Sequence, residues 1–508
     1  MEKRDIAKLA GGTGVALLGG VAGSGIQYLT GIVLSRMVGA ELIGAYFLCL
    51  VWTQLASAAA RLGFADALLR FVPPARLEGD AEGVRRIVKT TLGLGTAAAA
   101  VVTALALLAL PLFRRGLGLE PLLGDQLRLF LATVPLHVLF VLLLMVVQAH
   151  QRIPPVVAVR DFLQPSVLAV LTVSVVLVVE PGLALVAGYA ASLALGILVI
   201  ARSARRVAPG SWTSPGWMAL GPLLTFSLPV VLGDVVHYLY RWADTIVVSW
   251  FLELDDVGVY NAALRTSMLI ALVFMATNVI YSTMASGYFH TGRRDELRSA
   301  LHLSMRWCFL LALPIAILFA LGAEPILSLW GADFVRGRTA LVILAFAQLL
   351  TIPNGLLAYT LIMSGRQVTE VFDTVASLAL ILALDFLLIP QLGLTGAALA
   401  LLAANIVGLG LRWIQVWGGI GIHPVDAKIA KPLVAAAVAG GLGVAVRPTL
   451  EAAFPAAGGS LANLGALAGL GLLVAVIFLA VHAVLGFEEE DRTVVALLRD
   501  RLPGRTGR

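Results

Sequence analysis

Gly44-Ala45-Tyr46 returns 214 residues later as Gly258-Val259-Tyr260. At the same offset Pro111 matches Pro325 and Arg152 matches Arg366, while Gly79 matches Gly292 at 213 and Pro181-Gly182-Leu183 matches Leu392-Gly393-Leu394 at 211. Two tracts ending in charge, FVPPARLEGD (71–80) and GYFHTGRRDE (287–296), occupy equivalent places. Gly and Pro are common here, so each pairing alone is weak. A nearly constant offset across some 140 residues marks an internal repeat.

What repeats is apolar. Of 508 residues 59% are hydrophobic and 13% charged, about half the ~25% of charge that covers a soluble protein. That excludes a cytosolic enzyme, a disulfide scaffold and a disordered chain. Cys49 and Cys308 lie in apolar stretches, so neither a disulfide framework nor a zinc site is expected. A bilayer crossing needs about 20 apolar residues. Fourteen segments qualify, at 11–35, 41–64, 88–111, 124–149, 155–179, 182–202, 219–251, 257–284, 300–322, 338–363, 368–389, 392–418, 430–447 and 460–486. The first follows Lys3, Arg4 and Lys8 and is too long for a signal-peptide core.

Positive charge gives the orientation. With the N-terminus cytoplasmic, the outer side carries Arg36, Arg114, Arg115, Arg336, Arg338 and Arg447. Seven arginines fall within spans, and the other 23 of the 36 Lys and Arg lie on the cytoplasmic side. The net charge of +6 is thus an insertion signal, not a nucleic-acid patch. The predicted fold class is an all-α polytopic membrane protein with 14 transmembrane helices, N-in and C-in. Spans 1–6 (residues 1–207) and 7–12 (208–420) are expected to form two parallel-repeat six-helix lobes. Spans 13–14 (421–487) and a cytoplasmic tail (488–508) lie outside the repeat. Transporters with parallel repeats place substrate between the halves.

Phe226-Ser227-Leu228-Pro229, Arg241-Trp242-Ala243-Asp244 and Val257-Gly258-Val259-Tyr260-Asn261-Ala262-Ala263 carry a family resemblance. So do Leu62-Gly63-Phe64, Arg70-Phe71-Val72-Pro73 and Gly393-Leu394-Thr395-Gly396-Ala397-Ala398. Over most of residues 10–420 the chain resembles the polysaccharide-transporter branch of the multidrug/oligosaccharidyl-lipid/polysaccharide exporter superfamily, the Wzx-type flippases. The resemblance implies two lobes around a central cavity. It also implies movement of undecaprenyl-pyrophosphate-linked oligosaccharide, the repeat units of O-antigen, capsule or exopolysaccharide, across a bacterial inner membrane. The related lipid II flippases use their last two helices as a groove for the lipid tail, and spans 13 and 14 raise that arrangement here. The resemblance leaves the glycan open.

Charges inside the membrane are functional by default. The seven are Arg61, Arg128, Arg160, Arg241, Arg265, Arg306 and Arg412. In span 7, Asp234, His237, Arg241 and Asp244 are spaced 3, 4 and 3, on one helical stripe. Arg241 and Asp244 are placed to pair along the helix. Gln54, Ser57 and Arg61 repeat the spacing in span 2, Asn261 precedes Arg265 by one turn, and Arg160 adjoins Asp161. Guanidinium groups stay charged at low dielectric and match phosphate oxygens. The expected substrate cavity is therefore Arg61, Arg241, Arg265, Arg160, His237, Gln54 and Asn261. Arg128, Arg306 and Arg412 are read as end or packing residues. Asp234, Asp244, Asp373 and Asp385 are candidates for H+ or Na+ coupling, each equally a salt-bridge partner. No cofactor and no catalytic residues are expected.

Pro135, Pro165, Pro229, Pro314 and Pro353 predict kinks, and 74–87, 288–299 and 492–502 read as short basic interfacial helices. The expected partners are the lipid-linked sugar and membrane lipids, with no nucleic acid. A monomer is expected, associated with a polysaccharide polymerase or glycosyltransferases. The rivals are a lipid II flippase, a small-molecule exporter of the same fold, and a polytopic glycosyltransferase or polymerase. The last needs a large outward loop, whereas the acidic loop at Glu253, Asp255 and Asp256 is about five residues long.

Overall fold

The computed structural model describes residues 3–117, 121–211, 216–453, 459–486 and 488. The tail from 489 onward, with the helix expected at 492–502, lies outside them. The described residues are helical, with no strand among them. In order the helices are α1 (Lys3–Ala60), α2 (Phe64–Leu77), α3 (Ala81–Leu117), α4 (Pro121–Leu131), α5 (Val134–Ala149), α6 (Ile153–Val157), α7 (Gln164–Val176) and α8 (Pro181–Val207). There follow α9 (Leu220–Phe251), α10 (Leu254–His290), α11 (Arg294–Leu321), α12 (Ala323–Ser328), α13 (Arg338–Met363), α14 (Gln367–Leu392), α15 (Leu394–Ile420), α16 (Ala430–Ala453) and α17 (Gly459–Val484).

Twelve of the described helices are long and apolar enough to cross a membrane, or thirteen counting α4 and α5 as one span bent by 42°. The first such helix, Gly19–Ala60, has 42 residues. At 1.5 Å per residue it would reach ~63 Å if straight, twice the ~30 Å hydrocarbon core. It is not straight. Gly39, at φ 83° and ψ 175°, is non-helical, in a region only glycine occupies without strain. The break falls where the sequence separates its first two spans.

The outer surface is greasy. Leu105, Leu108 and Leu112 on α3, Leu198 on α8, Ile414 on α15 and Leu472 and Val476 on α17 are exposed, as suits a hydrocarbon solvent.

Helices α1–α8 pack among themselves, and so do α9–α15; α16 and α17 pair and lie against α11. Between the two groups the main packing is α1 on α10, with α1 and α2 also touching α9. The α1–α10 crossing is nearly backbone to backbone. A Cβ on Gly44 would lie 1.9 Å from the Leu254 carbonyl oxygen, and one on Gly258 would lie 2.2 Å from that of Ala40. The repeat-matched glycines are therefore the crossing point. Beside it, buried Trp330 packs on Tyr28 and Phe47. Ser35 Oγ donates to the Trp330 carbonyl at 2.7 Å, and Arg36 donates to the Leu329 and Ser328 carbonyls. At the opposite end Phe71 meets Phe226 edge-on and Arg70 covers the Phe226 ring at 4.5 Å.

One expectation needs correction. The tracts 74–87 and 288–299 are not separate interfacial helices. They are the ends of α2 and α3, and of α10 and α11, joined by tight turns at positive-φ Gly79 and Gly292. Pro135 lies just past the break where α4 and α5 bend by 42°, and Pro165 follows the π-helical turn Ala158–Leu163 within the continuous span Ile153–Val176. Pro229, Pro314 and Pro353 lie inside α9, α11 and α13 as read.

Gly258→Ala should lower the thermal midpoint of the detergent-solubilised protein by several degrees, from roughly 1–3 kcal/mol of overpacking. Gly410→Ala, where nothing lies within 4 Å of the added carbon, is the control. Equal midpoints for the two variants would remove the crossing from its structural role.

Candidate functional site

Arginines from both groups of helices converge on α9. Arg61 follows the last turn of α1, where the helix is interrupted at positive-φ Leu62 and Gly63 before α2. Arg265 comes from the first third of α10, and Arg241 from the second half of α9. The hydroxyl of Tyr238 on α9 lies within electrostatic reach of all three guanidinium groups, and it donates to Gln54 Oε1 on α1 at 3.4 Å.

Each arginine has unused hydrogen-bonding capacity. The Nε atoms of Arg61 and Arg265 are buried without a partner. Arg265 is held by π faces, with its guanidinium carbon 4.1 Å from the Phe47 ring centre and 5.5 Å from that of Trp242. Such contacts orient a cation and leave its in-plane N–H groups free. Arg241 and His237 lie on an exposed part of α9, and Asp234, half-buried one turn away, faces Arg61 and Asp66. Three guanidiniums against these acids leave the site ready for an anion with several oxygens.

The structure rearranges part of the expected stripe. Asp244 does not pair with Arg241. It is 3% exposed and accepts hydrogen bonds from the Tyr260 hydroxyl and the Thr245 N–H at 2.7 Å. The i, i+3 spacing permits a pair, but the α10 hydroxyl competes for the carboxylate. Arg241 makes no ion pair among the described residues. Asn261 is fully buried; its amide donates back to the Val257 carbonyl, and its Oδ1 has no hydrogen-bond partner. Arg160 stands apart, gripping Asp161 through Nε at 2.7 Å and Nη2 at 3.0 Å. The pair sits in a π-helical turn, Ala158–Leu163, against α1. Its charge is already matched.

Of the other carboxylates, Asp385 on α14 is fully buried with neither oxygen hydrogen-bonded. Asp244 lies within electrostatic reach of it. Asp373, 12 residues earlier on α14, accepts from Gln415 Nε2 at 2.8 Å. Arg412 forks onto Glu370, Nε at 2.9 Å and Nη2 at 2.5 Å, a packing role as read.

His137 was not legible beforehand. It sits beside Arg61 and bonds the Tyr189 hydroxyl through Nδ1 at 2.7 Å. A lone histidine in an apolar span was the only sign, and its partner lies 52 residues away.

A model for "Polysaccharide biosynthesis protein" matches residues 9–288, and one for MatE matches 229–387. Among curated proteins the chain is 24% identical over 217 residues to the probable low-salt glycan biosynthesis flippase Agl15 of Haloferax volcanii, covering 42% of this chain and 44% of that one. It is 25% identical over 204 residues to the probable flippase AglR of the same organism, covering 39% of each. The matches thus span less than half the length of these relatives. Among solved structures the chain resembles lipid II flippase MurJ in an inward closed conformation (TM-score 0.72, 13% identity, 90% of this chain and 96% of that one). It also resembles an inward-facing MATE family transporter of the MOP superfamily (TM-score 0.66, 16% identity, 78% and 94%). At these identities the structures speak for the fold alone, that of a polytopic membrane transporter. With a family model matched over more than half its length, the chain belongs to the polysaccharide biosynthesis protein family.

Proposed function

We propose that the protein flips a lipid-linked oligosaccharide from the cytoplasmic to the outer leaflet, and that it binds the substrate by its pyrophosphate between the two groups of helices. The observation that carries this is the convergence of Arg61, Arg241 and Arg265 on Tyr238, two of them with buried, unpartnered Nε atoms. A pyrophosphate brings about two negative charges into a low-dielectric gap, where fixed guanidiniums replace its hydration. Gln54, Tyr238 and Trp242 offer an amide, a hydroxyl and an aromatic face to sugar. In a bacterial inner membrane the lipid is undecaprenyl pyrophosphate.

The helices α1–α8 and α9–α15 act as the two lobes of alternating access. Gly39 serves as the turn between spans 1 and 2 and α4–α5 as one bent span, which makes fourteen crossings with both termini cytoplasmic. The Gly44–Gly258 crossing closes the outer end. Asp385, with Asp244 in electrostatic reach, couples the cycle to H+ or Na+: an ionised carboxylate buried without partners, as that of Asp385 is, costs several kcal/mol, which a bound cation or proton relieves. The protein works as a transporter, not an enzyme, and its named relatives are flippases. A monomer seated beside glycosyltransferases or a polymerase completes this reading.

The MatE match over residues 229–387 favours export of a small molecule as the second reading. A net cationic site disfavours the cationic substrates that such export would carry. The lipid II reading shares the anionic headgroup and differs in the group that the pyrophosphate carries.

In proteoliposomes, Arg241→Ala and Arg265→Ala should each cut translocation of a fluorescent lipid-pyrophosphate oligosaccharide by at least tenfold, with membrane expression unchanged. Wild-type rates in both variants, or efflux of cationic dye without any lipid-linked sugar, would discard the flippase reading. Asp385→Asn should remove the dependence of the rate on an imposed ion gradient while headgroup binding persists; a retained dependence would take Asp385 out of coupling. Single cysteines at Arg152 and Arg336 should label from opposite faces of right-side-out vesicles, the second from outside. Labelling from the same face would overturn the topology.

A further inference from the structure

A second buried polar layer lies between α13, α14 and α15, 12 residues along α14 from Asp385 and so about 18 Å away along its axis. Its charges do not balance. Glu370 is matched by the fork from Arg412, whose Nη1 donates to Asn354 Oδ1 at 3.2 Å. Asn354 Nδ2 in turn donates to the Leu350 and Asn405 carbonyls at 3.0 and 2.9 Å. That chain of bonds is neutral. Asp373, 4% exposed, is left with one hydrogen bond, from Gln415 Nε2 to Oδ1.

The remaining oxygens are what decide the matter. Asp373 Oδ2, Ser377 Oγ and Gln415 Oε1 are all buried, and none has a hydrogen-bond partner. Ser377, 3% exposed, follows Asp373 by one turn on the same face of α14. Its hydroxyl belongs to this layer: both Ser377 Oγ and Arg412 Nη1 lie within 3.2 Å of the carbon that Gly408 lacks. Burying an ionised carboxylate without a counter-charge costs several kcal/mol. An unsatisfied buried hydroxyl and amide oxygen add about 1–3 kcal/mol each. One group removes all three penalties: a hard cation of single charge, which takes carboxylate, hydroxyl and amide oxygens together. A divalent ion would leave a net positive charge in the membrane.

We propose that Asp373 Oδ2, Ser377 Oγ and Gln415 Oε1 form a binding site for a monovalent metal cation, Na+, separate from Asp244 and Asp385. Tyr240 faces the layer from α9, within electrostatic reach of Arg412 and Glu370, and Arg412 itself feels Asp373. The engagement of Arg412 by Glu370 is therefore a condition of the site. The inference does not rest on the flippase reading, because binding is measured with no substrate and no transport.

The test is equilibrium binding of 22Na+ to the full chain in detergent at constant ionic strength, with choline as the replacement ion. Wild type should bind Na+. Asp373→Asn should lose one equivalent, while Asp385→Asn should keep the equivalent that Asp373 holds. Ser377→Ala and Gln415→Leu, which leave every charge in place, should weaken that equivalent at least tenfold, and they decide the matter should Asp373→Asn fail to fold. Unchanged Na+ affinity in both Ser377→Ala and Gln415→Leu would overturn the site. So would absence of Na+ binding in wild type, which would leave Asp373 neutralised by a proton instead.

Discussion

Everything in this molecule is arranged around the contact of α1 with α10, where Gly44 and Gly258 bring two backbones together without a side chain between them. Without a hydrophobic drive between helices in lipid, close packing and hydrogen bonds hold such crossings together. Here a single carbon on either glycine would strike a carbonyl oxygen of the other helix. The contact also fixes Phe47, three residues beyond Gly44, against Arg265, seven beyond Gly258. Packing at the crossing thereby sets the position of a charge in the interior.

The interior then divides its charges by whether they are answered. Arg160 is held by Asp161 and Arg412 by Glu370; such pairs are neutral and orient helices. Arg61 and Arg265 keep buried donors unspent, and the oxygens of Asp385 keep their acceptor sites unspent. Charges left incomplete in a low-dielectric region are the costly ones. Those few positions are where a mobile anion or cation would bind most strongly.

Much of the fold was legible in sequence because the bilayer imposes a length and a polarity on each span. The repeat offset paired Gly44 with Gly258, but that the two glycines meet at a helix crossing is seen only in the structure. The break at Gly39 falls between two predicted spans, and Arg61, Arg241 and Arg265 were all marked by charge alone. What could not be read is which partner a side chain selects. Asp244 sits at the right spacing for Arg241 and turns instead to Tyr260, 16 residues away. Asn261 shares a face with Arg265 yet closes on its own backbone. His137 meets Tyr189 across two helices, and nothing in local periodicity encodes that meeting. Helical spacing fixes the face of a residue, whereas neighbours fix its bond.

The account stands or falls on where the anionic headgroup sits. A structure of the protein with a lipid-pyrophosphate oligosaccharide bound tests it most directly. The prediction is phosphate oxygens within about 3 Å of guanidinium nitrogens of Arg61 and Arg265, bridging α1 and α10 beside Tyr238. Phosphate bound elsewhere, with these arginines unchanged and solvent-filled space around Tyr238, would contradict it.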